Sequence, residues 1–123
     1  MSGIPLPPPL QPGDRVRLVA ASSALAEESR QRLAAGLELL QSWGLQLEAS
    51  GASTRRWGYL AGQDHERAAD LRVDPLDGSA APALWACLRG GWGAARLLEQ
   101  PDLVLPQGWL LGFSDVTALL WAQ

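Results

Sequence analysis

The chain has 123 residues, enough for one modest domain with a real core, because a chain of this size buries well over half of the surface it exposes when unfolded. Its net charge of −3 and pI near 5.0, with ten cationic side chains that are all arginine and scattered, exclude a general attraction to nucleic acid or anionic lipid. The single cysteine, Cys87, excludes an intramolecular disulfide, and its apolar setting Ala83-Leu84-Trp85-Ala86-Cys87-Leu88 predicts a buried thiol in a strand, in keeping with a reducing cytoplasm.

The chain opens without the basic start and apolar segment of an export signal, and no apolar run approaches the ~20 residues that span a bilayer, which predicts a soluble, unexported protein. Residues 1–12 carry Pro5, Pro7, Pro8, Pro9 and Pro12, a density that favours extended polyproline II backbone. This stretch reads as a leader outside the core, a semi-rigid spacer rather than an SH3-type ligand. The domain itself is expected over residues 13–123.

After the Pro12-Gly13-Asp14 turn, Arg15 to Ala21 alternates and then turns continuously apolar, as a strand entering a buried sheet does. Ser22-Ser23 opens a loop. From Glu27 to Trp43, Leu33, Leu37 and Leu40 recur at helical spacing with Ala34 and Trp43 beside them, and Gly44 supplies the stop. Leu45 to Ala49 alternates as a second strand. A polar loop, Ser50 to Gln63, leads to Asp64 as N-cap of a helix that Pro75 ends. A third strand, Ala83 to Leu88, passes through Arg89-Gly90-Gly91 to a short helix over Ala94, Ala95, Leu97 and Leu98. The fourth unit is Trp109 to Ser114 with its own helix.

Strand and helix alternating at this spacing predict a three-layer α/β domain, flavodoxin-like or Rossmann-like, with a mostly parallel sheet flanked by helices. Functional loops then gather at the carboxyl ends of the strands. Three are expected to converge: Ser22-Ser23, Arg89-Gly90-Gly91 and Ser114-Asp115.

In Leu110-Leu111-Gly112-Phe113-Ser114-Asp115-Val116-Thr117, an apolar run stops, presents a serine, and resumes as a helix. A strand that turns sharply into a helix lifts the turn residue clear of the sheet and offers the free N–H groups of the helix start to a developing oxyanion. Two readings of Ser114 follow from pattern. One is a mounted nucleophile; the other is an ordinary helix cap bonded to the Thr117 amide. A serine nucleophile needs a base and a group that orients it. The one histidine, His65, falls in the first turn of a solvated helix and is read as a surface residue. No G-x-G-x-x-G follows the first strand, which weakens a nucleotide site.

Taken in order, Pro12-Gly13-Asp14-Arg15-Val16, Leu60-Ala61-Gly62-Gln63-Asp64-His65-Glu66-Arg67-Ala68-Ala69-Asp70-Leu71, Arg89-Gly90-Gly91-Trp92-Gly93-Ala94-Ala95-Arg96-Leu97-Leu98 and Gly112-Phe113-Ser114-Asp115-Val116-Thr117-Ala118-Leu119 resemble the N-terminal domain of the LD-carboxypeptidases, the muramoyl-tetrapeptide carboxypeptidase family. The resemblance runs from about Leu10 to the end. It implies a cytoplasmic, metal-independent and cofactor-free serine peptidase, usually dimeric, that releases a terminal D-residue, typically D-alanine, from murein tetrapeptides during cell-wall recycling. It makes Ser114 the nucleophile of a Ser-Glu-His triad whose Glu and His come from a C-terminal domain. These residues do not include that domain, so the isolated chain is expected to be inactive and, with its docking surface uncovered, to self-associate.

The chemistry of acyl transfer assigns further roles. A loop that brings a backbone N–H close to a reacting carbonyl tolerates no side chain in the way, so Gly91, with Gly90 as rival, is expected to complete an oxyanion hole with the Asp115 amide. Ser22, Ser23, Arg89, Gly90 and Trp92 are candidates for contact with the murein-derived peptide. Arg89 either holds a substrate carboxylate or makes a structural ion pair. Of six tryptophans, Trp57 and Trp92 are expected in loops near the catalytic edge, and the others in core or interface.

Several positions depart from the family pattern. Ala20-Ala21-Ser22-Ser23 lacks the usual proline, His65 stands in place of an acidic residue, Pro106-Gln107-Gly108-Trp109 replaces a Lys-Pro pair, and the segment from Arg89 to Ser114 is short. Two other functions fit the same fold: an immunity-type peptidase acting on peptidyl-adenylate antibiotics, and a non-catalytic binding or oligomerisation module.

Overall fold

The alternating run that opens the domain forms β1 (Arg15–Val19), and in the computed structural model, which describes residues 6–73 and 81–123, it is an inner strand of a four-stranded sheet. β2 (Gln46–Leu47) and β3 (Leu84–Cys87) flank it, and β4 (Trp109–Leu111) pairs with β3. All three pairings are parallel, in the order β2-β1-β3-β4. Parallel neighbours need crossover connections, and α1 (Glu27–Ser42), α2 (Asp64–Ala69) and α3 (Ala94–Leu97) lie in them, while α4 (Thr117–Ala122) follows β4. The three-layer α/β architecture is the one the sequence predicts.

The period-2 pattern of β1 decides which helix covers which face. Val16 and Leu18 join Leu84 and Ala86 on one face, under Leu37 and Leu40 of α1. Val19, Trp85 and Leu110 face the other way, into a core built with Ala68, Leu71, Ala94, Leu97, Val116 and Leu119. Apolar runs longer than the observed strands leave the ladder where a side chain takes over the bonding. β1, expected to Ala21, stops at Val19 because the Ala20 amide donates to Asp70 Oδ2 at 2.9 Å.

Two expectations need correction. The cap of α2 is Gln63, not Asp64; the shift of one residue makes Glu66 the third helical position, where its carboxylate accepts from the Gln63 amide at 2.9 Å. The helix also ends before Pro75, which lies outside the described residues, as do residues 1–5 of the leader. At its end the chain tightens, with Leu71 N and Arg72 N donating to Ala68 O and Ala69 O at 3.1 Å. Of the four tryptophans expected in core or interface, only Trp85 is in the core of this chain. Trp43 sits past the last turn of α1, which buries none of its residues fully.

The exposure of Trp109 and Leu111 has one cause. Register pairs Leu84 with Trp109 and Ala86 with Leu111, so both β4 residues point to the face of α1, beyond the part of the sheet that α1 covers. Leu111 is 57% exposed, Phe113 67% and Trp121 86%. Residues 6–12 have no helix or strand, and the Trp109 indole donates to the Pro8 carbonyl at 2.8 Å.

Cys87 closes β3 and is half-buried. Burial, with the charge of Asp70 adding to it, pushes its thiol up to about 12. The unfolded chain, titrating near the ordinary thiol value of 9.0, therefore loses this proton first, and the stability it contributes is present below pH 9 and lost as pH rises towards 12. Cys87→Ala is expected to flatten that alkaline decline, measured as urea midpoint against pH. At pH 8 alkylation of the native thiol should be slower than that of the unfolded chain by well over tenfold.

Candidate active site

β1, β3 and β4 run in the same direction, so the segments that follow them emerge at one edge of the sheet. There the three loops are bonded to one another. The Ser23 amide donates to Gly90 O at 3.2 Å, and the Ser22 hydroxyl donates to Asp115 Oδ2 at 2.7 Å. A Cβ built on Gly90 would lie 2.8 Å from Ser114 Cβ, so Gly90 packs directly against the serine.

Ser114 has φ 58°, the left-handed region, and is the sole non-glycine residue there among those described. For an L-residue this costs roughly 1–2 kcal/mol. It begins a 3₁₀ turn, Ser114–Val116, that runs into α4, and its side chain is exposed. The cap position of that turn is Phe113, with no side-chain cap bond, and the Thr117 amide bonds to the Ser114 carbonyl instead. A helix-capping serine is therefore not what this geometry holds. The strained turn keeps the hydroxyl outward at the end of β4, as a strand-to-helix elbow does.

The loop after β3 leaves no room for side chains. A Cβ on Gly90 would come within 3.3 Å of the Asp115 amide nitrogen, and one on Gly91, at φ +108°, would meet Ser23 Oγ at 2.1 Å. The carbonyl of the Gly90–Gly91 peptide is turned to Ser23, and in a trans peptide the N–H points the opposite way, so the Gly91 amide is directed away from Ser23.

Polar ties hold this arrangement from below. Asp115 Oδ2 accepts from Ser22 Oγ and also from the Ala94 amide at 2.8 Å, joining the loop after β1, the start of α3 and the serine turn. Ser22 is fully buried, beneath the site rather than in its wall. Ser23 Oγ accepts from the Trp92 amide at 3.1 Å, and Ser23, Arg89 and Trp92 line an open cavity of about 730 Å³. Arg89 makes no ion pair among the described residues; its guanidinium donates to Ala24 O at 3.0 Å. His65 is exposed on α2 and lines a separate depression with Trp57 and Arg96. Among the described residues no group of His, Cys, Asp or Glu is placed to hold a metal ion, and no helix is long and apolar enough to cross a membrane.

The family model for the LD-carboxypeptidase N-terminal domain matches residues 16–123. The chain belongs to the LD-carboxypeptidase family. It is 44% identical over 119 residues to a Synechocystis sp. protein whose name assigns it as a carboxypeptidase, covering 94% of this chain and 38% of that protein. It is 38% identical over 117 residues to the murein tetrapeptide carboxypeptidase of Pseudomonas aeruginosa, covering 91% and 36%. Among solved structures, the microcin C7 self-immunity protein MccF superposes with a TM-score of 0.76 at 27% identity, over 94% of this chain and 35% of that one. The chain thus spans little more than a third of the length of the relatives it matches.

In this LD-carboxypeptidase domain, the residues that sequence reasoning missed are the buried braces. Arg67 is fully buried and donates to Gly62 O at 3.0 Å, Ala21 O at 2.7 Å and Gly93 O at 2.8 Å, with Asp64 as its ion-pair partner. Burial lowers its pKa against the opposing pull of Asp64. Arg55 grips Asp70 with both terminal nitrogens, at 3.0 and 2.8 Å, and this hydrogen-bonded pairing raises the Arg55 pKa despite burial. The loop of residues 50–63 is thereby laid along the end of β1, where the Ala24 amide donates to Tyr59 O at 2.8 Å. That brings Arg56 and Tyr59 to the cavity. A signal was present in the long arginine-bearing loop, but a loop's landing place is not written in periodicity.

Proposed function

We propose that this chain supplies the nucleophile domain of a serine carboxypeptidase that removes a terminal D-residue from murein-derived peptides. The observation that carries the reading is Ser114, held exposed at φ 58° on a strand-to-helix turn, with Gly90 pressed against it. Its hydroxyl attacks the carbonyl of the L,D amide; the Gly91 and Asp115 amides receive the oxyanion, the D-residue's amine leaves with a proton, and water then hydrolyses the acyl-enzyme. Relatives named murein peptide carboxypeptidases in Bacillus subtilis and Pseudomonas aeruginosa support the substrate class.

The base and its orienting carboxylate are supplied by a C-terminal domain, as Glu and His, and the working protein is a cytoplasmic homodimer without metal or cofactor. The test is hydrolysis of an L,D-tetrapeptide by this chain alone and mixed with a family C-terminal domain. Activity on mixing only is expected. Activity in neither case would favour a binding module, and activity in the chain alone would overturn the assignment of the base. A peptidyl-adenylate analogue in the same assay separates the immunity-type alternative that the likeness to MccF suggests.

The uncovered face around Trp109, Leu111 and Phe113 is where the C-terminal domain or a second copy packs. On its own, the chain is expected to self-associate at micromolar concentration in sedimentation velocity, and Leu111→Glu to restore monomers. A clean monomer across that range would contradict this.

A further inference from the structure

Six of the ten arginines form ion pairs: Arg15, Arg17, Arg55, Arg67, Arg72 and Arg96. Arg56 and Arg89 have none among the described residues, and both line the cavity of about 730 Å³, together with Ser23, Tyr59 and Trp92. Among the described residues no carboxylate lines it. Their present bonds are to backbone carbonyls. Arg89 donates to Ala24 O at 3.0 Å, while Arg56 reaches Gly58 O and Leu25 O only at 3.4 and 3.5 Å, the long limit for a hydrogen bond. Bonds to uncharged carbonyls, those of Arg56 at the long limit, are weaker than the pairing of a guanidinium with an anion, which can replace them.

Position gives the cavity its meaning. Arg89 immediately precedes Gly90, which packs on Ser114, and Trp92 is fixed to Ser23 through its amide. An anion held by Arg56 and Arg89 therefore sits in a cavity that Tyr59 and Trp92, both exposed, also line, one residue along the chain from the glycine that packs on Ser114.

We propose that Arg56 and Arg89 together form the subsite for the free carboxylate of the substrate's terminal residue, and so make the site cut at chain ends. The identity of that carboxylate rests on the reading of Ser114 as nucleophile; the presence of an anion subsite does not. Arg56 is the specificity residue this adds. Two guanidiniums exclude the uncharged amide of an internal peptide bond by leaving it without a matching charge.

The test titrates this chain, followed by NMR of arginine Nε–H and tryptophan indole signals, with N-acetyl-D-alanine and with its carboxamide. The acid is expected to shift Arg89 and Trp92 signals and to bind at least about tenfold more tightly than the amide, the scale of one charge-assisted bond. Arg56→Gln and Arg89→Gln should each remove that preference, and Arg56→Lys should recover part of it. Equal binding of acid and amide, or a preference kept in both glutamine variants, overturns the subsite. A preference that is present while the chain mixed with a family C-terminal domain fails to cleave an L,D-tetrapeptide upholds the subsite and overturns the proposed reaction.

Discussion

Replacing Ser114 with alanine is expected to lower L,D-peptide hydrolysis by the chain assembled with a family C-terminal domain by about 10⁴ to 10⁶, with KM little changed. The magnitude is that of removing a triad nucleophile, where the remaining binding and oxyanion groups retain only a residual rate. The same position carries a stability signature. Alanine keeps the Cβ that makes φ 58° costly, so Ser114→Ala should leave the urea midpoint of this chain nearly unchanged. Glycine has no such penalty, and Ser114→Gly should stabilise the chain by roughly 1 kcal/mol while abolishing activity equally. A serine kept at a strained position against its own stability is the pattern of a functional residue. Equal stability of the glycine and serine forms would show that the strain is absent.

Arg67→Met is expected to cost about 3–5 kcal/mol, a large share of the stability of a domain this size. Methionine fills much of the volume but leaves the Gly62, Ala21 and Gly93 carbonyls and the Asp64 carboxylate without their donor. Three of those groups belong to different segments, so the loss spreads from the loop after β1 to the turn before α2 and the start of α3. Arg67→Lys should recover only part, because one ammonium cannot reach all four acceptors. Thermal and urea unfolding of the three forms measure the series; a methionine form within 1 kcal/mol of the parent would contradict the role of Arg67 as a brace.

Much of the layout was legible because periodicity reports burial. The alternation of Arg15 to Val19, the Leu37 and Leu40 spacing and the apolar run from Leu84 to Cys87 each became the expected element. Parallel topology then follows from their order, and convergence of Ser22-Ser23, Arg89-Gly90-Gly91 and Ser114-Asp115 follows from topology. What was not legible was decided by partners far along the chain. Trp43, Trp109 and Trp121 were expected in core or interface; the fold shows only that they are not core, since all three are exposed among the described residues. The burial of Arg67 has no local signal, since nothing nearby in the sequence says that Ala21 and Gly93 will present carbonyls to it. Asp115 was expected to act through its amide, and its carboxylate proved to tie two other loops. Arg56 lay in a loop without periodicity, and only the Arg55 grip on Asp70 shows where that loop is laid.

The most direct test of Ser114 as nucleophile is its covalent capture. The chain, mixed with a family C-terminal domain, would be treated with a fluorophosphonate, digested and examined by mass spectrometry, with Ser114→Ala alongside. The account predicts one phosphonyl group on the peptide containing Ser114, loss of hydrolysis in step with labelling, and neither label nor activity in the alanine form. Hydrolysis that persists in Ser114→Ala, or inactivating label on any other residue, would contradict it.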